Sequence, residues 1–215
     1  MAKQILRTEG KDIPVITTLH GTDITLVGRD KTYEPVVTFS INQSDAITAV
    51  SENLRQETLN HFKIVKPIEV IHNFVDTARF RRKPIDAFRQ VLAPKGEKIL
   101  VHASNFRKIK RVQDVVRIFA AVRAEVPSKL LFIGDGPERS TAAELSRELG
   151  VFDCVRFVGK QDQIEDILSI ADLFLLTSEY ESFRLAALEA MAAGVPVIST
   201  EAGGLGEVNI DGKTG

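Results

Sequence analysis

The feature that most constrains the fold is a regular alternation of short apolar runs and amphipathic segments from Lys98 onward. The run 99–101 predicts a strand, and apolar residues at helical spacing across 111–125 predict a helix after it. Further strands are predicted at 129–133, 155–158, 172–176 and 197–198, and further helices at 140–149, 164–170 and 183–193. Strands separated by helices of this length indicate an α/β fold with a parallel, doubly wound sheet.

The residues before this pattern predict a second, smaller α/β region. Strands are expected at 13–19, 46–50 and 68–71, and helices at 1–11, 35–44 and 52–62. Ser51 is the expected N-cap of the last of these helices. The first helix lacks a start signal, which suggests an upstream part. A basic stretch, 77–96, holds one short predicted helix, 85–92, and we interpret it as a linker with a solvated surface. The predicted domains are therefore 1–76 and 77–215.

Composition excludes several functional classes. The chain has 28 Lys and Arg against 29 Asp and Glu, a net charge of −1, which gives no overall attraction to nucleic acid or anionic membranes. Anion binding must therefore be local. Cys154 is the single cysteine, so a disulfide framework is excluded, a core role is expected, and a reducing cytoplasm is the simplest compartment. No apolar run approaches the roughly 20 residues that a membrane-spanning helix needs.

The stretch from 172 to 199 has the form of an anion site. An apolar strand, 172–176, leads through a polar turn into the predicted helix 183–193, which Gly194 ends. The first N–H groups of such a helix have no internal partner, and the helix dipole adds positive potential there. Glu181 and Glu189 stand seven residues apart across this helix start. These two carboxylates could bind hydroxyl groups on either side of a phosphate. The alternative is that Glu181 is a solvated loop residue and Glu189 a surface helix residue, and the spacing does not distinguish the two interpretations.

Four predicted turns follow four strands of the second domain, at 104–111, 134–138, 159–161 and 177–183. In a doubly wound sheet all four face one edge, where ligands bind. Arg107 and Lys110 could there meet a diphosphate held at the 183–193 helix. The alternative is a solvated helix start, but four cations in one such turn are unfavourable by roughly 0.3–1 kcal/mol each.

Two further features carry weaker signals. Gly134-Asp135-Gly136-Pro137 predicts a tight turn that lets backbone approach a ligand, yet such turns are common. His20 follows the strand 13–19 and could orient a donor sugar or polarise an acceptor. A lone histidine at a strand end is more often structural.

Several motifs together resemble one family. The sequence E-S-F-x-L-x-x-L-E-A-M-A-x-G-V-P-V-I, at 181–198, resembles the signature of the GT4 family of retaining GT-B glycosyltransferases. A basic turn, G-D-G-P and V-x-F-x-G precede it in the family's order. The resemblance implies a GT-B type fold of Rossmann-like doubly wound parallel sheets, truncated at both ends. Residues 1–76 would be the C-terminal part of the acceptor domain, and 77–215 most of the donor domain.

The segments T-L-H-G-T-D-I-T-L-V-G, S-N-F-R-K-I-K-R and V-I-H-N-F-V-D resemble the branch of the family that serves bacillithiol biosynthesis. This resemblance implies transfer of N-acetylglucosamine from UDP-N-acetylglucosamine (UDP-GlcNAc) to L-malate, without a cofactor or metal. It leaves a homo-oligomer open for the full-length protein, and implies no nucleic-acid partner. Chemistry would need both domains, so we expect the 215 residues alone to be inactive.

The resemblance also implies roles for single residues. The catalytic set would be His20, Glu181, Arg107 and Lys110. Arg107 and Lys110 would bind the diphosphate, Glu181 the donor sugar, and His20 the reacting sugar, with Thr22 near the acceptor. Glu189 would hold the ribose hydroxyls. The other donor-side residues implied are Gly134, Gly159, Lys160, Gln161, Phe183, Arg184 and Leu185.

Three positions depart from the family pattern. Arg184 stands where the motif usually has Gly, next to the donor sugar and phosphate, and could block the donor or add a cation. Gly206 replaces a Pro, and Asn105 stands where many members have Arg, a role that Arg107 could take over. Two alternatives follow. One is a GT4 transferase with another acceptor, such as inositol phosphate or a lipid-linked sugar. The other is a non-catalytic nucleotide-sugar binding module, which Arg184 favours.

Overall fold

The computed structural model describes residues 2–10, 12–22, 24–25 and 30–214. The chain divides into two compact units. The first contains Met1–Asn73 together with the short segment Glu181–Phe183, and the second contains Phe74–Tyr180 and Arg184–Gly215. Within the described ranges, no helix is both long enough and apolar enough to cross a membrane.

The first unit is built on a small parallel sheet. Its strands are β1 (Ile16–Leu19), β2 (Ala46–Ala49) and β3 (Ile68–Val70), in that spatial order. Its helices are α1 (Ala2–Thr8), α2 (Glu34–Asn42) and α3 (Glu52–His61). Ser51 caps α3 as predicted, because its Oγ accepts a hydrogen bond from the N–H of Leu54 at 3.1 Å.

The second unit is a five-stranded parallel sheet with helices between its strands. The strands are β4 (Lys98–Ala103), β5 (Ser128–Ile133), β6 (Val155–Gly159), β7 (Leu173–Leu176) and β8 (Val197–Ser199). The helices are α4 (Asp86–Leu92), α5 (Val112–Glu125), α6 (Arg139–Glu148), α7 (Ile164–Ile170) and α8 (Leu185–Ala192). The spatial order β6-β5-β4-β7-β8 confirms the predicted doubly wound topology.

The strand order places a topological switch point between β4 and β7. After β4 the chain places β5 and then β6 on one side of β4. It then returns to the other side of β4 with β7, and β8 follows at the outer edge of β7. The turns leaving β4 and β7 therefore diverge and open a crevice, which is where ligands bind in such sheets.

Both faces of this sheet are covered, which explains why its strands are continuous apolar runs. One face packs Val101, Leu131 and Phe174 against buried residues of α7 and α8. The other packs Leu100, Phe132 and Leu175 against residues of α5. Partly buried Cys154 packs against this second cluster.

The basic stretch 77–96 is largely exposed, as the sequence interpretation expects, but several of its cations also bond to other elements of the second unit. Arg79 forms two hydrogen bonds of 2.9 and 3.0 Å with Glu165, and Lys83 pairs with Asp166 at 2.6 Å. Arg82 donates to the carbonyl of Ala171. These bonds tie the stretch to α7 and to the residue after it.

Asp172, just before β7, anchors the same stretch to the sheet. Its carboxylate accepts hydrogen bonds from Arg89 Nη2 at 2.7 Å and from the N–H of Ile99 at 2.8 Å. Burial raises the pKa of Asp172, but the hydrogen bonds from Ile99 and Arg89 outweigh burial, so the pKa lies below its usual value.

We expect Asp172→Ala to lower the free energy of unfolding by about 1–3 kcal/mol, because it leaves the N–H of Ile99 without its acceptor and removes the carboxylate partner of the half-buried Arg89 guanidinium. Urea unfolding followed by circular dichroism measures this change. The matched control is Asp153→Ala, which removes an exposed carboxylate from the same unit. Equal effects of the two substitutions would contradict the anchoring role.

Candidate functional site

The turns that follow β4, β5 and β6 are joined backbone to backbone. The N–H of Gly134 donates to the carbonyl of Gly159 at 2.7 Å, and the N–H of Glu138 donates to that of Phe106 at 2.9 Å. A Cβ on Gly134 would lie 1.9 Å from the carbonyl oxygen of Ser104, and Gly134 has a φ of +110°. The predicted convergence of the turns on one sheet edge is confirmed.

This packing gives the glycines of the Gly-Asp-Gly-Pro turn a structural role besides the predicted approach to a ligand, which stays a prediction. A Cβ on Gly136 would lie 2.0 Å from the carbonyl oxygen of Asn105. Together with Gly134, this glycine lets the turn after β5 approach the turn after β4, because any side chain would collide with backbone. The glycines therefore permit a close approach between the turn after β5 and the turn after β4.

The turn that carries Arg107 and Lys110 is a single 3-10 turn, Lys108–Lys110. Phe106 before it has a φ of 38° and Arg111 after it has a φ of 49°, a left-handed conformation that L side chains rarely adopt. Arg107 is exposed and Lys110 is half-buried.

The end of β7 holds this turn in place. Thr177 Oγ1 donates to the carbonyls of Lys110 and Arg111, each at 3.0 Å. The N–H of Glu179 donates to the carbonyl of Ile109 at 2.9 Å. The cationic turn and the turn after β7 are thus tied together across the switch point, as the diphosphate hypothesis requires.

His102, a residue that the sequence interpretation missed, lies beneath this turn. It is fully buried in β4. Its Nδ1 lies 2.9 Å from the carbonyl oxygen of Leu175, and its Nε2 lies 2.9 Å from Ser104 Oγ. The pKa of His102 is lowered to about 3, chiefly by burial; the Leu175 hydrogen bond opposes this change, and Arg184 and Lys110 contribute to it. The signal available in the sequence was one histidine within an apolar strand.

Arg184 departs from the predicted helix start. The predicted helix 183–193 was wrong at its first residues: α8 begins at Leu185, and Arg184 precedes it in a left-handed conformation with φ 71° and ψ 80°. Its guanidinium donates to the carbonyl of Ala103, the last residue of β4. Arg184 therefore adds a cation at the carboxyl end of β4, close enough to influence the pKa of His102.

Glu189 lies on α8 in a mixed charge environment. It is half-buried, and burial raises the pKa of its carboxyl group. Arg79 and Arg184 oppose that rise, and Glu165 adds to it. Glu189 is therefore less solvated than a fully exposed helix residue, and a carboxylate in such a place benefits from hydroxyl donors.

The remaining donor-side residues are more exposed. Lys160 and Gln161 are exposed after β6, and Gln161 Nε2 donates to the carbonyl of Val158 at 2.6 Å. Gly159, the last residue of β6, has a φ of +71°. Leu185, at the start of α8, is 43% exposed.

Four predicted residues belong to the first unit. His20, just after β1, and Thr22 are both exposed. Glu181 is buried, which excludes the alternative of a solvated loop residue. Phe183 is also buried and stacks on His72 with 5.6 Å between the ring centroids.

Comparison with known proteins identifies the family. The family described as "Glycosyl transferases group 1" matches residues 85–215, and "Glycosyltransferase Family 4" matches residues 2–79. The chain belongs to the group 1 glycosyltransferases. The resemblance stated from the sequence motifs is confirmed, and the motif at 181–198 lies within the residues that the family matches.

Individual relatives are similar across most or all of the chain. The N-acetyl-alpha-D-glucosaminyl L-malate synthase of Bacillus anthracis is 48% identical over 216 residues, covering 100% of this chain and 56% of the relative. A D-inositol 3-phosphate glycosyltransferase of Mycolicibacterium smegmatis is 30% identical, covering 81% of this chain and 42% of the relative. The chain thus spans about half the length of the relatives it matches.

A solved structure supports the fold. The crystal structure of Anabaena Alr3699/HepE in complex with UDP and glucose matches with a TM-score of 0.83 and 23% identity, covering 96% of this chain and 56% of that one. The predicted GT-B type α/β fold is confirmed by such glycosyltransferase neighbours.

We expect the stability of this glycosyltransferase to fall on acidification through His102. Unfolded histidine binds a proton below a pH of about 6.5, whereas folded His102 stays neutral down to about 3. Between these two pH values, protonation of His102 in the unfolded state lowers the free energy of unfolding as the pH falls. The decrease is up to about 1.4 kcal/mol per pH unit. Unfolding free energies of the wild type and His102→Leu at pH 7, 6 and 5 measure the difference. Parallel pH profiles would contradict it.

Proposed function

We propose that this protein is a retaining glycosyltransferase that moves N-acetylglucosamine from UDP-GlcNAc to L-malate, a step of bacillithiol biosynthesis. The observation that carries the proposal is the 48% identity, over the whole chain, to an N-acetyl-alpha-D-glucosaminyl L-malate synthase. The chain spans 56% of that relative, so activity belongs to the full-length protein. A cytoplasmic location is part of the same proposal, which makes no choice between a monomer and a homo-oligomer.

In this proposal the donor diphosphate binds at the switch point of the second unit. Arg107 and Lys110 supply cations from the turn after β4, which Thr177 fixes to the end of β7. The first N–H groups of α8 supply donors and the positive end of the helix dipole. Arg184 brings a third cation, because its guanidinium is held at the carbonyl of Ala103.

The remaining roles follow the family resemblance. The half-buried carboxylate of Glu189 accepts hydrogen bonds from the ribose hydroxyls. These bonds replace the hydration that the carboxylate loses on burial. Gly159, Lys160 and Gln161 lie beside the uracil, and Glu181 contacts the donor sugar. His20 and Thr22 belong to the first unit. His20 faces the reacting sugar, and Thr22 lies near the acceptor.

The proposed chemistry depends on charge that is in place before the reaction. As the bond from the sugar to the diphosphate breaks, negative charge grows on the departing phosphate oxygen. Arg107, Lys110 and the start of α8 stabilise that charge, and a fixed set of donors needs little reorganisation to do so. The departing phosphate then takes the proton of the attacking L-malate hydroxyl. No metal is invoked.

We expect Lys110→Ala to weaken UDP binding at least tenfold, since one charge-assisted contact to phosphate contributes about 1.5–3 kcal/mol. Isothermal titration calorimetry with UDP and with UDP-GlcNAc measures the affinity. Lys108→Ala is the matched control, because Lys108 lies on the same 3-10 turn and is exposed. Equal losses in both variants would indicate nonspecific attraction.

Arg184→Gly separates the two roles open to Arg184 in the same titration. If Arg184 adds a cation to the site, UDP still binds but more weakly than to the wild type. Affinity that rises in Arg184→Gly would show that the side chain blocks the donor. If neither the wild type nor Arg184→Gly binds UDP, the proposed donor site is contradicted.

We expect the full-length protein to release UDP from UDP-GlcNAc only when L-malate is the acceptor. Mass spectrometry of the product, with inositol phosphate as the comparison acceptor, tests this. A product formed with inositol phosphate would favour a different GT4 acceptor. UDP binding without transfer to either would favour a nucleotide-sugar binding module.

A further inference from the structure

We propose that His102 is a positioning residue, which holds the Arg107–Lys110 turn in its anion-binding conformation through the hydroxyl of Ser104. The proposal rests on the donor site proposed above, but its structural part concerns the ligand-free protein. It gives a purpose to a fully buried histidine that the transfer chemistry does not use.

Three hydrogen bonds form a directed chain from the cationic turn to the neighbouring strand. The carbonyl of Leu175 can only accept, so Nδ1 of His102 carries the proton and donates to it at 2.9 Å. Because the imidazole is neutral, Nε2 accepts from the Ser104 hydroxyl at 2.9 Å. The Ser104 oxygen then accepts from the N–H of Phe106 at 3.2 Å.

The surroundings of the imidazole fix its orientation. Phe132 packs edge-on against the His102 ring, with centroids 5.6 Å apart, and Phe106 lies stacked at 6.3 Å. Side chains locked in this way by packing and hydrogen bonds hold a neighbouring group within a narrow range of geometry. The imidazole therefore presents one acceptor, at one place, to Ser104.

The turn needs such a hold because its backbone conformation is unfavourable at both ends. Phe106 and Arg111 have positive φ without being glycine, and such residues persist only where the surrounding structure determines them. At the far end Thr177 binds the carbonyls of Lys110 and Arg111. At the near end the His102–Ser104 pair binds the N–H of Phe106. Arg107 and Lys110 lie between these two anchors.

The test removes the bridging hydroxyl with Ser104→Ala and keeps it with Ser104→Thr. Ser146→Ala is the matched control, because it deletes a buried hydroxyl of α6 that bonds within its own helix. Amide hydrogen exchange of residues 105–111 is measured without ligand, and UDP affinity by calorimetry. We expect Ser104→Ala to raise exchange in this turn and to weaken UDP binding roughly five- to tenfold, the effect of losing one or two hydrogen bonds. Ser104→Thr and Ser146→Ala should stay near the wild type in both measurements.

A double variant tests whether His102 acts through Ser104. We expect His102→Leu to produce the same loss of UDP affinity as Ser104→Ala, and the combination to produce no further loss. Unchanged exchange at 105–111 in Ser104→Ala would overturn the proposal, and so would additive losses in the double variant. If the wild type does not bind UDP, the donor site fails, while the exchange measurement still decides whether His102 and Ser104 position the turn.

Discussion

The parallel pairing of β4 with β7 is the constraint on which the second unit depends. Leu100 faces Leu173 and Val101 faces Phe174 in this register, and the chain reverses its direction of strand addition there. The turns leaving these two strands must therefore separate. The Thr177 hydroxyl and the N–H of Glu179 join the two turns, because they donate hydrogen bonds to the carbonyls of residues 109–111. The result is a rigid edge rather than two independent loops.

Much of this edge was predictable from the sequence, because it follows from periodicity. Apolar runs such as 99–101 and the helical spacing across 111–125 predict each element, and a parallel sheet brings all the turns to one side. Arg107 and Lys110 could be singled out because cations at a predicted helix start are unfavourable without a partner. Glu189 could be singled out as a candidate by its spacing from Glu181, but only the structure shows its partial burial.

Other features could not be predicted, since they depend on long-range contacts. The basic residues of 77–96 look solvated in sequence, yet Arg79 bonds to Glu165, a residue 86 positions later. His102 reads as one polar residue in an apolar strand until Leu175 and Ser104 supply its partners. Arg184 was expected inside a helix, but it precedes α8 in a left-handed conformation. The bond from its side chain to Ala103, 81 positions earlier, opposes the cost of that conformation.

The charges at the edge were thus brought together by tertiary structure, and the proposed donor site depends on that arrangement. A crystal structure of the protein with UDP tests it most directly. The diphosphate should lie between the Arg107–Lys110 turn and the first turn of α8, with the ribose hydroxyls at Glu189. A diphosphate bound anywhere else on the second unit would contradict the proposed site.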